Sequence, residues 1–434
     1  MTSVTPARRK AAAVLRAVSR GRRLDVALPQ SFGGLSHQDR RWVQEVTYGT
    51  LRLRGRLDHL LHLHLKKGVE SVPGPALDLL RMGAYQLLFM GGVPAYAAIS
   101  QTVDQVRAVM GPGGGRLANG VLRSLEREGG GKSRFPEFQA DPLSYLTSWG
   151  SHPLWLVKRW LDRWGPEKTR ILVEENNRPA PLFLHPLGMT IRDASQRLRE
   201  QGWDFTTLGD GIPCIRLGDG TNPATVLDGI DGIIQDPAAA LVALYADPPP
   251  RVRVLDLCAA PGGKALALAA GGHPLLAGDR SLTRLGLLRE NAARLRLPVD
   301  LVVADARRPP VTDGEFVLLD VPCSGTGTLR RHPDARWRLR QETVGSLARV
   351  QKEILSGARR LIPTGGHLVY STCTLEEEEN GGQVEAFLRD NPEFRVEETG
   401  KVPEAFITGE GFLQVVPQDS GFDGSFAARL VRKR

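Results

Sequence analysis

Between residues 7 and 128 apolar side chains recur at helical spacing: Val14, Leu15 and Val18, then Leu57, Leu60, Leu61 and Leu65, then Leu77, Leu80, Tyr85, Leu87 and Leu88. Each set lines one face of a 3.6-residue repeat, and strand-like alternation is scarce, so the pattern predicts an all-α domain over residues 1–135. GPGGGR at 111–116 reads as a loop within it, and GGGKSRFPEF from 129 as a linker. Residues 136–236 open with LWLVKRWLDRWG (154–165), an amphipathic helix whose three tryptophans pack, or stack on RNA where they are exposed. PLFLHPL, ASQRLREQGW and short apolar runs among Gly and Asp complete a small α+β domain. After DPPPR at 247–251 the rhythm changes to short apolar runs ending in acids or hydroxyls: VRVLDL, PLLAGD, VDLVVAD, FVLLD and GHLVYS. Helical stretches such as RLGLLRENAARL and LARVQKEILSGARRL separate them. That alternation predicts a Rossmann-like α/β domain over 237–434, a doubly wound parallel sheet whose ligands lie at the carboxyl ends of its strands.

Charge adds an asymmetry. Residues 1–128 hold 19 Lys and Arg against 9 Asp and Glu, whereas the whole 434-residue chain has a net charge of +9. The positive field therefore sits on the first third and favours a polyanion there, although a solvated basic face would have the same composition. No apolar run approaches the ~18 residues that span a bilayer, and the basic start lacks the apolar core of a signal peptide. The four cysteines, at 214, 258, 323 and 373, form neither a disulfide framework nor a CxxC pair, so a reducing, cytoplasmic compartment is expected. His59, His62 and His64 lack a partner at ligand spacing and read as ordinary helix residues, and no metal is implied.

Candidate chemistry begins directly after the first strand of the last domain, with Cys258, Ala259, Ala260, Pro261, Gly262, Gly263 and Lys264. Small residues in a strand-to-helix turn let a ligand approach backbone N–H groups at a helix start. A P-loop would require Gly at Cys258 and Ser or Thr at Ala265, and Pro261 interrupts the dinucleotide G-x-G-x-x-G pattern. A nucleoside cofactor without a phosphate requirement remains, with Asp279 placed for ribose hydroxyls and Asp305 for an adenine amino group.

Asp320, Pro322 and Cys323 end the fourth strand, and Cys373 follows the fifth, so both thiols are expected on the rim that carries the cofactor loop. Thr374 and Glu377 match a capping box, which would set Cys373 before a helix N-terminus that favours thiolate, against the opposing charge of the adjacent glutamates. The motifs CAAPGGK (258–264), DVPCSGTG (320–327) and STCT (371–374) resemble, in this order, those of the S-adenosylmethionine-dependent RNA cytosine-5 methyltransferases, the NOL/NOP/Sun family. The basic helical start resembles the NusB-like extension of that family's 16S rRNA members.

This resemblance implies an enzyme that methylates C5 of a cytosine in 16S rRNA. Cys373 would be the nucleophile adding to C6, Cys323 would assist product release, and Asp320 would contact the N3/N4 edge of the base or the cofactor. The loop 258–264 with Asp279, Asp305 and Asp320 would hold S-adenosyl-L-methionine. A single-stranded or flipped cytosine is the implied substrate, because C6 is out of reach in a stacked helix. Arg330, Arg331 and His332 would hold phosphates near the site, and a monomer is expected. His185-Pro186 departs from the family's pattern where substrate contacts of the small domain are expected, and Ser425 departs from it near the C-terminus; neither bears on the chemistry. A tRNA or other rRNA target, or a non-catalytic ribosome-assembly factor, are the alternatives.

Overall fold

The computed structural model describes residues 4–433, which divide into two compact units. The first runs to Arg178 and takes in a later segment, Leu329–Leu339. It is all-helical: α1 (Pro6–Ser19), α2 (Leu24–Gln30), α3 (His37–Arg52), α4 (Arg54–His62), α5 (Gly74–Leu88), α6 (Ala95–Glu128), α7 (Pro142–Ser148) and α8 (Leu154–Asn177). α1 shows why the periodicity was informative. Thr5 caps it, Pro6 starts it, and Ala7, Ala11, Val14, Leu15 and Val18 bury one stripe in the unit's core.

Two expectations are corrected here. GPGGGR is not a loop: Gly111, at φ 74°, kinks α6, and Pro112 restarts the helix immediately, so the glycines after it are helical. The stretch after Gly129 is no free linker, because Phe135 is buried, with its ring stacked on His59 and edge-on to Trp149. That contact draws the chain back onto the helices, and α7 and α8 group with them. The compact units therefore do not break at 135 and 236. Of the three tryptophans in α8, Trp160 is fully buried against His152.

Segment Leu329–Leu339 is locked into the first unit by Arg336, which is fully buried. Its guanidinium donates to Ser151 O (3.1 Å), Asn176 O (3.0 Å), Asn177 Oδ1 (2.8 Å) and Leu329 O (3.2 Å). Trp337 Nε1 donates to Leu51 O at 2.7 Å, and Asp334 Oδ2 accepts from Leu24 N at 3.2 Å. Burial lowers the Arg336 guanidinium to about 9.

The second unit spans Pro179–Thr328 and Arg340–Arg434. A four-stranded antiparallel sheet comes first, in the order β2-β3-β1-β4: β1 (Phe183–Pro186), β2 (Phe205–Thr207), β3 (Ile215–Leu217) and β4 (Gly232–Ile234), with α9 (Ile191–Glu200) and α10 (Pro223–Gly229). After α11 (Pro237–Ala246) come β5 (Val254–Asp256), α12 (Gly263–Ala270), β6 (Leu275–Asp279), α13 (Leu282–Arg294), β7 (Val299–Val303) and β8 (Phe316–Asp320). Past α14 (Ala335–Arg338), which belongs to the first unit, follow α15 (Gln341–Arg359), β9 (His367–Thr372), α16 (Gly381–Asp390), β10 (Phe394–Val396), β11 (Leu413–Val415), α17 (Pro417–Ser420) and β12 (Ser425–Arg432).

The larger sheet runs β10-β12-β9-β8-β5-β6-β7, with β11 on β12. β5 to β9 are parallel, as the sequence predicted, but β10, β11 and β12 add an antiparallel flank. Alternate residues feed opposite cores: Leu255, Val317, Leu319, Leu368 and Tyr370 on one face, Val254, Phe316, Leu318 and Val369 on the other. After β7 the chain returns to the other side of β5, so the strand order reverses between β5 and β8, where open α/β sheets form their ligand crevice.

Candidate active site

At this reversal the strand ends deliver their residues to one edge: Asp256 closes β5, Asp279 closes β6, Asp320 closes β8 and Cys373 directly follows β9. Cys323 and Cys373 lie with their sulfurs 3.4 Å apart, and the Cys373 backbone N–H donates to Cys323 Sγ at 3.3 Å. The hydrogen bond to Cys373, burial and the nearby Glu379 charge push the Cys323 thiol well up, which keeps it protonated. Lys264 reaches from α12 to Asp320 Oδ2 at 2.8 Å, while Ser371 Oγ donates to Asp320 Oδ1 at 3.0 Å. Burial works against the Lys264 ammonium, yet the facing charges of Asp320 and Cys373 hold its pKa above the ordinary lysine value.

The glutamates after Cys373 are divided by the backbone. Glu377 and Glu378 are exposed, whereas Glu376 and Glu379 turn inward. Glu379 Oε1 accepts from Ser324 N (3.0 Å) and Gln351 Nε2 (2.9 Å), and its Oε2 accepts from Ser324 Oγ. Ser324 Oγ meets Thr374 Oγ1 at 2.6 Å, Thr326 Oγ1 donates to Glu376 Oε1 at 3.1 Å, and Tyr370 OH donates to Glu379 O at 2.6 Å. The loop after β8 and the loop after β9, each carrying one cysteine, are thus tied together by a buried polar network. The expected capping box is absent: Thr374 accepts from Glu376 N at 3.2 Å, Glu377–Glu379 form a 3-10 turn, and α16 starts only at Gly381. A positive group at the end of a side chain, Lys264, faces Cys373 in place of a helix N-terminus.

In the glycine turn, Gly262 has φ 115°, and a Cβ there would meet Leu288 at 2.7 Å; at Gly263 it would meet Gln235 Nε2 at 2.6 Å. Gly262 is required by its positive φ and its close packing on Leu288 of α13, and the turn it makes leads straight into the α12 N-terminus. Asp279 is buried, accepts from Ser281 N at 2.8 Å and pairs with Arg284 at 3.6 Å, and Arg284 also reaches Ala260 O. Asp305, just past β7, accepts from Arg307 N (3.0 Å) and from its guanidinium, which lowers the carboxyl to about 2. Cys258 lies at the start of the turn, its thiol pushed well up by burial.

Sequence reasoning passed over Asp256, Ser324, Gln351 and Glu379. Asp256 is fully buried: Oδ1 accepts from Cys258 N at 3.2 Å, while Oδ2 has no partner. Burial, then the Asp320 charge, push its carboxyl up to about 8. The folded chain therefore keeps a proton that an unfolded aspartate loses near pH 4, and stability falls as pH rises from about 4 to 8. Asp256→Asn is expected to flatten that part of the pH–Tm profile and to raise Tm at pH 8; parallel profiles for the two proteins would show an ordinary, ionised carboxylate.

Two other expectations are revised. Arg330 pairs with Glu175 at 3.3 Å, and His332 is largely buried, with burial lowering its pKa, so these side chains serve the packing of the first unit rather than standing free for phosphates. His185 is buried in β1, its Nδ1 2.7 Å from Gln235 Oε1, which accounts for this departure as a structural hydrogen bond. Ser425 opens β12 and is buried.

Comparison with known proteins agrees with this layout. Residues 243–431 match the model for 16S rRNA methyltransferase RsmB/F, residues 5–127 the NusB family, and residues 152–222 the ferredoxin-like domain of RsmF/B-like methyltransferases. Ribosomal RNA small subunit methyltransferase B of Sodalis glossinidius is 34% identical, covering 98% of this chain and 96% of that protein. The probable ribosomal RNA small subunit methyltransferase B of Synechocystis is 34% identical over 92% of both chains. Among solved structures, that of PH0851 superposes with a TM-score of 0.79 at 23% identity, covering 99% of each chain, a likeness of fold. With the thiol pair, the glycine turn and a full-length relative at this identity in agreement, the chain belongs to the RsmB/F family of 16S rRNA methyltransferases.

Proposed function

We propose that the protein uses S-adenosyl-L-methionine to methylate C5 of one cytosine in 16S rRNA, through a covalent bond between Cys373 and C6. The observation that carries this reading is the 3.4 Å approach of Cys323 and Cys373 beside the Lys264–Asp320 bridge. The residues present suit the cofactor: a tight glycine turn, a helix start, an unpartnered Asp256 oxygen and a row of carboxylates for hydroxyl and amino donors. Cys258, Ala259, Ala260, Pro261, Gly262, Gly263 and Lys264 would line it. Asp279 would take the ribose hydroxyls and Asp305 an adenine amino group, in exchange for part of its contact with Arg307. When bound, S-adenosyl-L-methionine supplies an electrophilic methyl group.

Cytosine C5 is a weak nucleophile until a thiolate adds to C6 and sends the C5–C6 π electrons to C5. Lys264 supports that thiolate by its charge, and Asp320, oriented by Lys264 and Ser371, holds the N3/N4 edge as negative charge develops on the base. After methylation the C5 proton must leave and the C6–S bond must break. A water takes the C5 proton, the C5–H electrons restore the C5=C6 double bond and expel Cys373 as thiolate, and the neutral Cys323 assists by donating a hydrogen bond to that leaving sulfur. The base must stand clear of its neighbours for the thiol to reach C6, so the reading includes a single-stranded or flipped cytosine, and it places a monomeric enzyme in the cytoplasm with its rRNA. Among the described residues no helix is long and apolar enough to cross a membrane.

Bisulfite sequencing of 16S rRNA from a strain lacking the protein tests the reading. One cytosine should lose its methyl mark and regain it with the wild-type gene; an unchanged 16S profile with a lost mark elsewhere would move the target.

A further inference from the structure

In the first unit, α4, α7 and α8 frame a cleft of about 310 Å³ whose lining includes Arg56, Trp149, Arg170, Glu174, Asn177 and Arg178. That size lies at the lower end of small-ligand clefts, roughly 300 to 1,000 Å³. Its carboxylates are unevenly shared among the three arginines. Arg170 is held by Glu167 and Glu174 and Arg178 by Glu175, but among the described residues no carboxylate pairs with Arg56.

Arg56 is fixed nonetheless. Its guanidinium lies 3.7 Å from the centre of the Trp149 ring and 5.6 Å from that of Phe89, and Nε and Nη2 both donate to Trp149 O, at 3.0 and 2.8 Å. Among the described residues Nη1 has no hydrogen-bond partner. Burial lowers its pKa to about 10. Partly buried cations are ordinarily paired, and one held rigid with a free donor in a pocket wall is suited to an anion from outside. Arg178, exposed at the rim, shares its partner Glu175 with Arg330, so that one carboxylate serves two cations. Arg56 and Arg178 lie in the part of the molecule that Arg and Lys dominate between residues 1 and 178.

We propose that this pocket is a phosphate subsite seating one phosphodiester of a single-stranded stretch of the RNA substrate. Nη1 of Arg56 donates to a phosphate oxygen, with Arg178 at its edge. The inference rests on the RNA methyltransferase reading for the identity of the polymer, and an arginine gives the phosphate contact without reading sequence.

The test uses the full-length protein and a fluorescent oligouridine of about ten nucleotides, titrated between about 50 and 200 mM salt. Arg56→Gln retains donors for Trp149 O and removes the charge. It is expected to weaken binding about tenfold and to flatten the slope of log K against log salt by about 0.7. Arg178→Ala, at an exposed position that leaves the fold intact, should weaken binding about threefold and decides the matter if Arg56→Gln fails to fold. On rRNA, KM should rise with kcat unchanged, as for a contact made equally in ground and transition states. A folded Arg56→Gln with unaltered affinity and slope overturns the proposal. So does a variant that loses only competition by inorganic phosphate or uridine monophosphate, since the pocket would then serve a free phosphate. Failure of the wild-type protein to methylate rRNA at all would strike at the function, and is read separately in the same assay.

Discussion

Cys373→Ala is expected to lower methyl transfer at least ~10³-fold and to leave no RNA covalently attached to the protein. Cys323→Ala is expected to trap RNA on Cys373, so that a protein–RNA adduct stable to denaturation accumulates while turnover drops about 10²-fold. The contrast follows from the geometry: both sulfurs face the same site 3.4 Å apart, yet they arrive on different strands and in different surroundings. Cys323 is held neutral by its hydrogen bond to Cys373, by burial and by Glu379, whereas Cys373 faces the Lys264 ammonium. Denaturing gel electrophoresis after incubation with rRNA and cofactor reads both outcomes. An adduct that persists in Cys373→Ala and vanishes in Cys323→Ala would exchange the two roles and refute the scheme.

The second large effect is expected at a residue that touches no reacting atom. Glu379→Ala removes the acceptor of Ser324 N, Ser324 Oγ and Gln351 Nε2 together. Buried donors left unpaired cost about 1–3 kcal/mol each before water or neighbours compensate, so a loss of about 2–4 kcal/mol of stability is expected. The kinetic effect should be distinct from the loss of fold. Displacing the Cys323 loop by about 1 Å relative to Cys373 is enough for about 10²-fold in kcat, while the Kd for S-adenosyl-L-methionine should stay unchanged. Glu379→Gln keeps one carbonyl oxygen for Ser324 N and Gln351 and should recover most of the rate at 25 °C. Equal losses in the Ala and Gln variants, or a loss confined to Tm, would reduce Glu379 to a packing residue.

Much of the site was legible because its residues follow strands whose apolar runs end in a recognisable way. FVLLD and GHLVYS mark β8 and β9 almost to the residue, and a parallel sheet must bring their carboxyl ends to one edge. What escaped was whatever depends on the third dimension. β12, SFAARLVR, is buried on both faces and carries Arg429 within it, so it shows no alternation to announce an antiparallel partner for β9. Glu379 looked like one of four equivalent solvated charges, and only the 3-10 turn separates the inward pair from the outward one. Gln351 offered a faint signal, a polar residue on the face of α15 shared by Val344, Ile354, Leu355 and Ala358. Thr374 and Glu377 had capping-box spacing, but Thr374 is used by Ser324 and Thr326 from another loop, a competitor that local spacing cannot reveal.

Segment Leu329–Leu339 also bears on the order in which the nascent chain can complete itself. The carbonyls of Leu51, Ser151 and Asn176 are met by Trp337 and Arg336, which the ribosome makes only after the glycine turn and Cys323. At elongation rates of roughly 5–20 residues per second, that delay after Arg178 is about 10 to 30 s. For that interval the basic N-terminal helices stand open at a seam that only a later stretch of the same polypeptide can close.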